Sequence, residues 1–241
     1  MNEHEHEVDL DQPLCTDSVR RRAARLGVGT PRRHRCIARP APSTERERSR
    51  RPGVRSTAVT TPPVFRFSPN AYELGLFEER SGRCDACDSD RELRYTASFY
   101  AVDKPDYLCP WCVADGTAAR RFKGSFNDWL GIDGVPVDPD EAVTVDRECA
   151  SEVANRTPGY PSWQQERWRS HCGFPCAFLG YVDSTDITEY LVEPDFAADV
   201  DGGIGFPGEV LRDYLSRDGD LTGYLFRCVV CGAHRLHADA S

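Results

Sequence analysis

Cysteine comes in close pairs in this chain. Cys84-Asp85-Ala86-Cys87, Cys109-Pro110-Trp111-Cys112 and Cys228-Val229-Val230-Cys231 share one spacing, and Cys172 and Cys176 stand one residue wider. A Cys-x-x-Cys turn folds two thiolates back to about 3.5–4 Å from each other, which is half of the tetrahedral set that zinc takes from a protein. With eleven cysteines in 241 residues, chance places about half of one such pair, so three point to a metal framework rather than to composition. Cys84, Cys87, Cys109 and Cys112 make a first four-sulfur set, with 21 residues between the pairs. That interval lies just beyond the usual span of about 15–20 and leaves room for strands.

Cys172, Cys176, Cys228 and Cys231 make a second set, closing a loop of 51 residues. Gly232 follows the last cysteine and gives the turn room to aim its amides at sulfur. His171 is an alternative fourth ligand in place of Cys176, and equally reads as a helix-end histidine facing the C-terminal dipole. His234 and His237 read as surface strand residues. Cys15, Cys36 and Cys149 have no neighbour at ligand spacing.

Cys109-Pro110-Trp111-Cys112 before a helix also resembles a thioredoxin-type redox pair, whose first thiolate the helix dipole activates. That reading needs a preceding βαβ rhythm, which is missing, and leaves Cys84 and Cys87 unexplained. Metal is the stronger expectation.

These ligands need elements to hold them. Strands are expected at 64–67, 93–101, 177–181 and 224–227, where β-forming residues concentrate. Helices are expected at 113–122, 141–155, 162–171 and 209–216, the third with Ser162 as N-cap. Loops rich in Pro, Gly and Asp fill 133–140 and 195–208. Without a βαβ order the fold class is α+β: a small zinc-stapled domain with treble-clef and zinc-ribbon-like elements. A treble clef would have strands between its half-sites and a helix after the last ligand, its dipole steadying the thiolates.

Charge divides the chain. The first sixty residues carry 13 arginines against 8 acids, and the remainder 17 basic against 31 acidic groups, within a net charge of −9. Residues 1–61 read as a disordered Arg-rich arm, or as a stretch upstream of the true start, with residues 62–241 as the metal-binding domain. The arm has no aromatic residue on which a base could stack, and the acidic body repels phosphate backbones. Nucleic acid is therefore not expected as a partner of the body and has a route only through the arm; a protein partner of unknown identity is expected. No apolar run approaches the roughly 20 residues of a membrane helix. No signal-peptide core precedes the body, so a cytoplasmic location is expected.

Several ordered stretches carry a resemblance: Leu108-Cys109-Pro110-Trp111-Cys112-Val113-Ala114-Asp115-Gly116, Ser162-Trp163-Gln164-Gln165-Glu166-Arg167-Trp168, His171-Cys172, Phe178-Leu179-Gly180-Tyr181 and Tyr224-Leu225-Phe226-Arg227-Cys228. Over about residues 63–237 the chain resembles the CbrC family, small bacterial proteins of uncharacterised activity. The resemblance implies the metal framework and the fold, and no substrate.

Closed four-cysteine spacing leaves no open coordination position, so the leading expectation is a non-enzymatic interaction module with two structural zinc ions. The alternatives are a metal-dependent enzyme using an open position at the second site, with Glu166 or His171 in acid–base work, and a nucleic-acid-binding zinc protein. Neither His-Glu-x-x-His nor a zinc-deaminase signature occurs. Trp163 and Trp168 are expected to pack a helix against the sheet, or else to line a pocket with Gln164, Gln165 and Glu166.

Overall fold

A computed structural model describes residues 61–241; residues 1–60 of the expected arm, with Cys15 and Cys36, lie outside them. An antiparallel hairpin, β1 (Phe77–Arg83) and β2 (Asp90–Tyr95), comes first, with a bulge between Glu79 and Gly82. The bulge makes space for a ring: a Cβ on Gly82 would stand 2.6 Å from Tyr107. The Tyr107 hydroxyl donates to the carbonyls of Arg80 and Arg91, joining both strands to the segment that carries the next cysteine pair.

Two short helices follow in place of one. α1 (Pro110–Ala114) begins with proline, whose missing N–H costs nothing at that position. Gly116, at φ +74, interrupts the helical run, and the Asp115 carboxylate accepts the Thr117 amide at 2.8 Å to start α2 (Thr117–Phe122). α3 (Arg147–Arg156) is the core of the helix expected over 141–155. It starts late because Asp146 caps it, accepting the Cys149 amide at 2.9 Å. Cys149, Ala150, Val153 and Ala154 form its buried face.

The helix expected over 162–171 does not form. Three consecutive polar residues of that segment have tertiary partners that outweigh local propensity. The Gln164 amide donates to Asp239 at 3.0 Å, Gln165 reaches Asp128, and the Tyr100 hydroxyl donates to Glu166. Trp168 bridges in parallel to Ile132, so close to Gly131 that a Cβ there would meet the Glu166 carbonyl at 2.5 Å. The chain then makes a tiny hairpin, β3 (Ser170–His171) and β4 (Phe174–Pro175).

An antiparallel sheet completes the architecture in the order β5 (Ala177–Val182), β6 (Leu221–Arg227), β7 (His234–Ala240). On one side Trp168, Tyr160, Phe178, Tyr224 and Phe226 pack with Phe67 and the buried face of α3. On the other, Leu225, Leu236 and Ala238 pack with Phe196 of α4 (Pro194–Ala198) and Leu211 of α5 (Gly208–Tyr214). The stretch expected as loop over 195–208 thus contains most of α4. A third apolar cluster surrounds the first cysteine set. Residues 64–67 form no ladder strand, yet their burial alternates as expected: Phe65 and Phe67 are inside while Val64 is exposed. The architecture is mixed α and β.

Candidate metal centres

The first centre joins a hairpin tip to a helix start. Cys84 and Cys87 occupy the turn between β1 and β2, while Cys109 precedes α1 and Cys112 lies within it. Only β2 therefore lies between the half-sites, where strands were expected; the β1–β2 hairpin brackets the first pair instead. Asp85 accepts the amides of Asp106 and Tyr107, both at 2.8 Å, fastening the incoming segment to the turn. Arg121 of α2 donates to the Ala86 carbonyl at 3.0 Å.

The four ligand atoms of Cys84, Cys87, Cys109 and Cys112 lie within 4.8 Å of one another. Cys84 and Cys112 sulfurs are 3.8 Å apart, and those of Cys87 and Cys109 are 4.0 Å apart. Sulfurs about 2.3 Å from a central zinc would stand about 3.8 Å apart, so the donor set fits that ion. Cys84 and Cys109 are wholly buried. Hydrogen bonds from Cys109 and then Cys112 hold the Cys84 thiol far below its ordinary range, while those with Cys109 and then Cys84 push Cys112 up.

The second centre joins two hairpin turns. Cys172 and Gly173 connect β3 to β4 with positive φ of 54° and 77°, as a two-residue primed turn requires. Such turns favour Asn and Gly, and a cysteine there costs roughly 1 kcal/mol. Cys228–Cys231 turn between β6 and β7. The Cys228 sulfur accepts the amides of Val230 at 3.4 Å and Cys231 at 3.5 Å. Burial opposes ionisation of Cys228, but these amide bonds outweigh it and bring the thiol down to about 7.

His171, Cys172, Cys228 and Cys231 bring their ligand atoms within 4.8 Å of one another. His171 Nδ1 stands 3.3 Å from the sulfurs of both Cys172 and Cys231. Tetrahedral zinc with one nitrogen and three sulfurs sets that separation at about 3.6 Å. His171 Nε2 meets Asp195 Oδ2 at 3.0 Å, the carboxylate support that metal-bound histidines use to fix tautomer and ring orientation. Asp195 carried no signal in the sequence, being 24 residues from its histidine.

Cys176 is not in this group, contrary to the expectation that it completes the second set. It follows β4 and points into the sheet core beside Trp168 and Phe226, wholly buried. Burial pushes its thiol up to about 12, so it behaves as a small apolar side chain. A two-residue turn places His171 and Cys172 at its rim and carries Cys176 onto the sheet. His234 joins neither centre: its Nδ1 lies 2.7 Å from Glu193. His237 is partly buried, its ring stacked on Tyr224, rather than on the surface.

The segment around Glu166 divides between the two readings given above. Trp168 is 1% exposed, as a core anchor should be, and donates to the Cys176 carbonyl at 2.8 Å. Trp163 is 52% exposed and donates to the Gly219 carbonyl and the Thr222 hydroxyl. Glu166 is buried, accepting from the Tyr100 hydroxyl at 2.8 and 2.7 Å on its two oxygens, and belongs to neither centre. Among the described residues no helix is long and apolar enough to cross a membrane.

Relatives carry the same body. The chain is 36% identical over 183 residues to a UPF0167 protein of Mycobacterium bovis, spanning 73% of this chain and 92% of the relative. A UPF0167 protein of Mycobacterium tuberculosis matches to the same extent. A UPF0167 protein of Pseudomonas aeruginosa is 35% identical over 185 residues, spanning 73% of this chain and 96% of its own length. No solved structure matches. With residues 62–240 matching the uncharacterised protein family UPF0167, the chain belongs to that family.

Proposed function

We propose that this protein is a structural zinc module that presents a surface to a protein partner and carries out no reaction of its own. The ligands are Cys84, Cys87, Cys109 and Cys112 at one centre, and His171, Cys172, Cys228 and Cys231 at the other. One observation carries the reading: both sets are complete at four donors, with spacings matching a tetrahedral ion. The first centre reads as treble-clef-like and the Cys228–Cys231 turn as a zinc-ribbon knuckle. The CbrC-like motifs belong to this same reading, as does a reducing, cytoplasmic setting in which thiols persist. A body with 17 basic and 31 acidic groups beyond residue 60 favours a protein over nucleic acid.

Zinc binding at such centres supplies folding free energy on the order of 10 kcal/mol. Removing the metal with a strong chelator should therefore abolish the cooperative unfolding transition, and returning zinc should restore it. A transition unchanged by chelation would count against the proposal.

The enzyme reading draws on one feature. His171 lines an open cavity of about 220 Å³ with Asp133, Thr144 and Ser170. Cobalt substitution separates the two: closed four-ligand centres give tetrahedral spectra that pH and small anions leave unchanged, whereas a bound water makes them respond.

A further inference from the structure

The two centres differ in how far solvent reaches their sulfurs. At the first, Cys84, Cys109 and Cys112 are buried and Cys87 is partly so. At the second, Cys228 is buried while Cys172 and Cys231 are both exposed. Those two exposed sulfurs flank a single atom, His171 Nδ1, at 3.3 Å each. They also lie within 4.8 Å of each other, and they come from hairpin turns 59 positions apart in the chain. Cys172 holds the left-handed backbone conformation at φ +54, a strained arrangement that a turn selected for stability alone would relieve with Asn or Gly.

Resting on the zinc reading above, we infer that the Cys172–Cys231 pair is an oxidation site for hydrogen peroxide, and that its oxidation empties the second centre while sparing the first. The chemistry closes on these two side chains. The Cys172 sulfur attacks one peroxide oxygen, the O–O bond breaks, and water leaves after taking up a proton, so Cys172 becomes the sulfenic acid. The Cys231 sulfur then attacks the Cys172 sulfur. An S–S bond forms, the S–O bond breaks, and the hydroxyl departs as a second water with a second proton. Two sulfurs each lose one electron and two peroxide oxygens each gain one. Either exposed sulfur can make the first attack, since the product is the same. The disulfide removes two of four donors, and His171 with Cys228 alone holds zinc weakly. The turns of β3–β4 and β6–β7 then stay joined by a covalent bond where a metal had joined them.

The test uses the full-length metal-loaded protein. Peroxide is added at a few equivalents, released metal is read with a chromophoric chelator, and thiols are mapped by alkylation and mass spectrometry. One of two metal equivalents should be released. A disulfide-linked peptide pair containing Cys172 and Cys231 should form about tenfold or more faster than any change at Cys84, Cys87, Cys109 or Cys112. Reduction and added zinc should reverse both. Cys231→Ser, treated alike, should yield no linked peptide while its first-centre metal stays in place. Equal rates at the two centres, earlier loss from the first, or no linked peptide at full metal release would overturn the inference and leave the zinc reading standing. Protein that holds no metal before peroxide is added would overturn both.

Discussion

Asp199 is the carboxylate on which the second centre's two arms converge. It sits just after α4, and its side chain is only 4% exposed. Oδ1 accepts from Arg169 at 2.6 Å and Arg235 at 2.7 Å; Oδ2 accepts from Arg235 Nε at 2.7 Å and the Leu236 amide at 3.0 Å. Arg169 leads into β3 and so to His171. Arg235 follows His234 on β7 and also reaches the Ser170 carbonyl at 3.3 Å. Asp199→Ala would leave two guanidinium groups, 13% and 20% exposed, facing each other. Breaking a buried pair in this way costs about 3–5 kcal/mol. Arg169 keeps Asp133 at 3.0 Å and Arg235 keeps some solvent, so the lower end, about 3 kcal/mol, is expected. In a domain of this size that corresponds to a fall in Tm of about 6–12 °C. Urea unfolding of the zinc-loaded protein measures it, with Arg80→Ala as comparison. That arginine is 59% exposed and 3.7 Å from Glu78, and its loss should cost under about 0.5 kcal/mol. Asp199→Ala should also weaken metal at the second centre by about tenfold or more relative to the first. An Asp199→Ala protein within about 1 kcal/mol of the parent would refute this account of the cluster.

Three further outcomes follow from the same geometry. His171→Ala should lose metal from the second centre in chelator competition, whereas Cys176→Ala should keep both ions and lose about 1 kcal/mol of packing; the reverse would restore Cys176 as a ligand. Trp168→Ala should cost about 3–5 kcal/mol in denaturant titration, and the half-exposed Trp163→Ala no more than about 1 kcal/mol. Burial holds His237 down at about 4 against an ordinary value near 6.5. The unfolded chain therefore binds the extra proton between those values. The resulting stability is fully present above about pH 6.5, falls as pH drops toward 4 by at most about 3 kcal/mol, and levels off below. His237→Gln should flatten that part of the pH profile, and an unchanged slope would assign it elsewhere.

How much of this was legible beforehand depends on the range of the interaction. The first candidate centre was readable because two local segments, a hairpin turn and a helix start, each carry their own Cys-x-x-Cys and supply all four sulfurs. At the second, the Cys228–Cys231 turn was readable for the same reason. The choice between His171 and Cys176 depended instead on the turn at Cys172-Gly173. Positive φ at both residues reverses the chain within two positions and sends Cys176 inward, and spacing alone does not reveal that conformation. The missing helix over 162–171 has a similar cause. Ser162 looked like a cap, but Asp239, Asp128 and Tyr100, distant in sequence, claim Gln164, Gln165 and Glu166. The strands at β5 and β6 needed no such knowledge, since their β-forming runs are buried for most of their length. Outer partners such as Asp195 and Asp199 left no local mark.

The most direct test is elemental analysis of the purified full-length protein together with native mass spectrometry. Two zinc ions per chain are predicted, with the thiols of Cys84, Cys87, Cys109, Cys112, Cys172, Cys228 and Cys231 becoming alkylatable once a chelator removes them. A chain that carries no metal and still unfolds in one cooperative step would contradict the account.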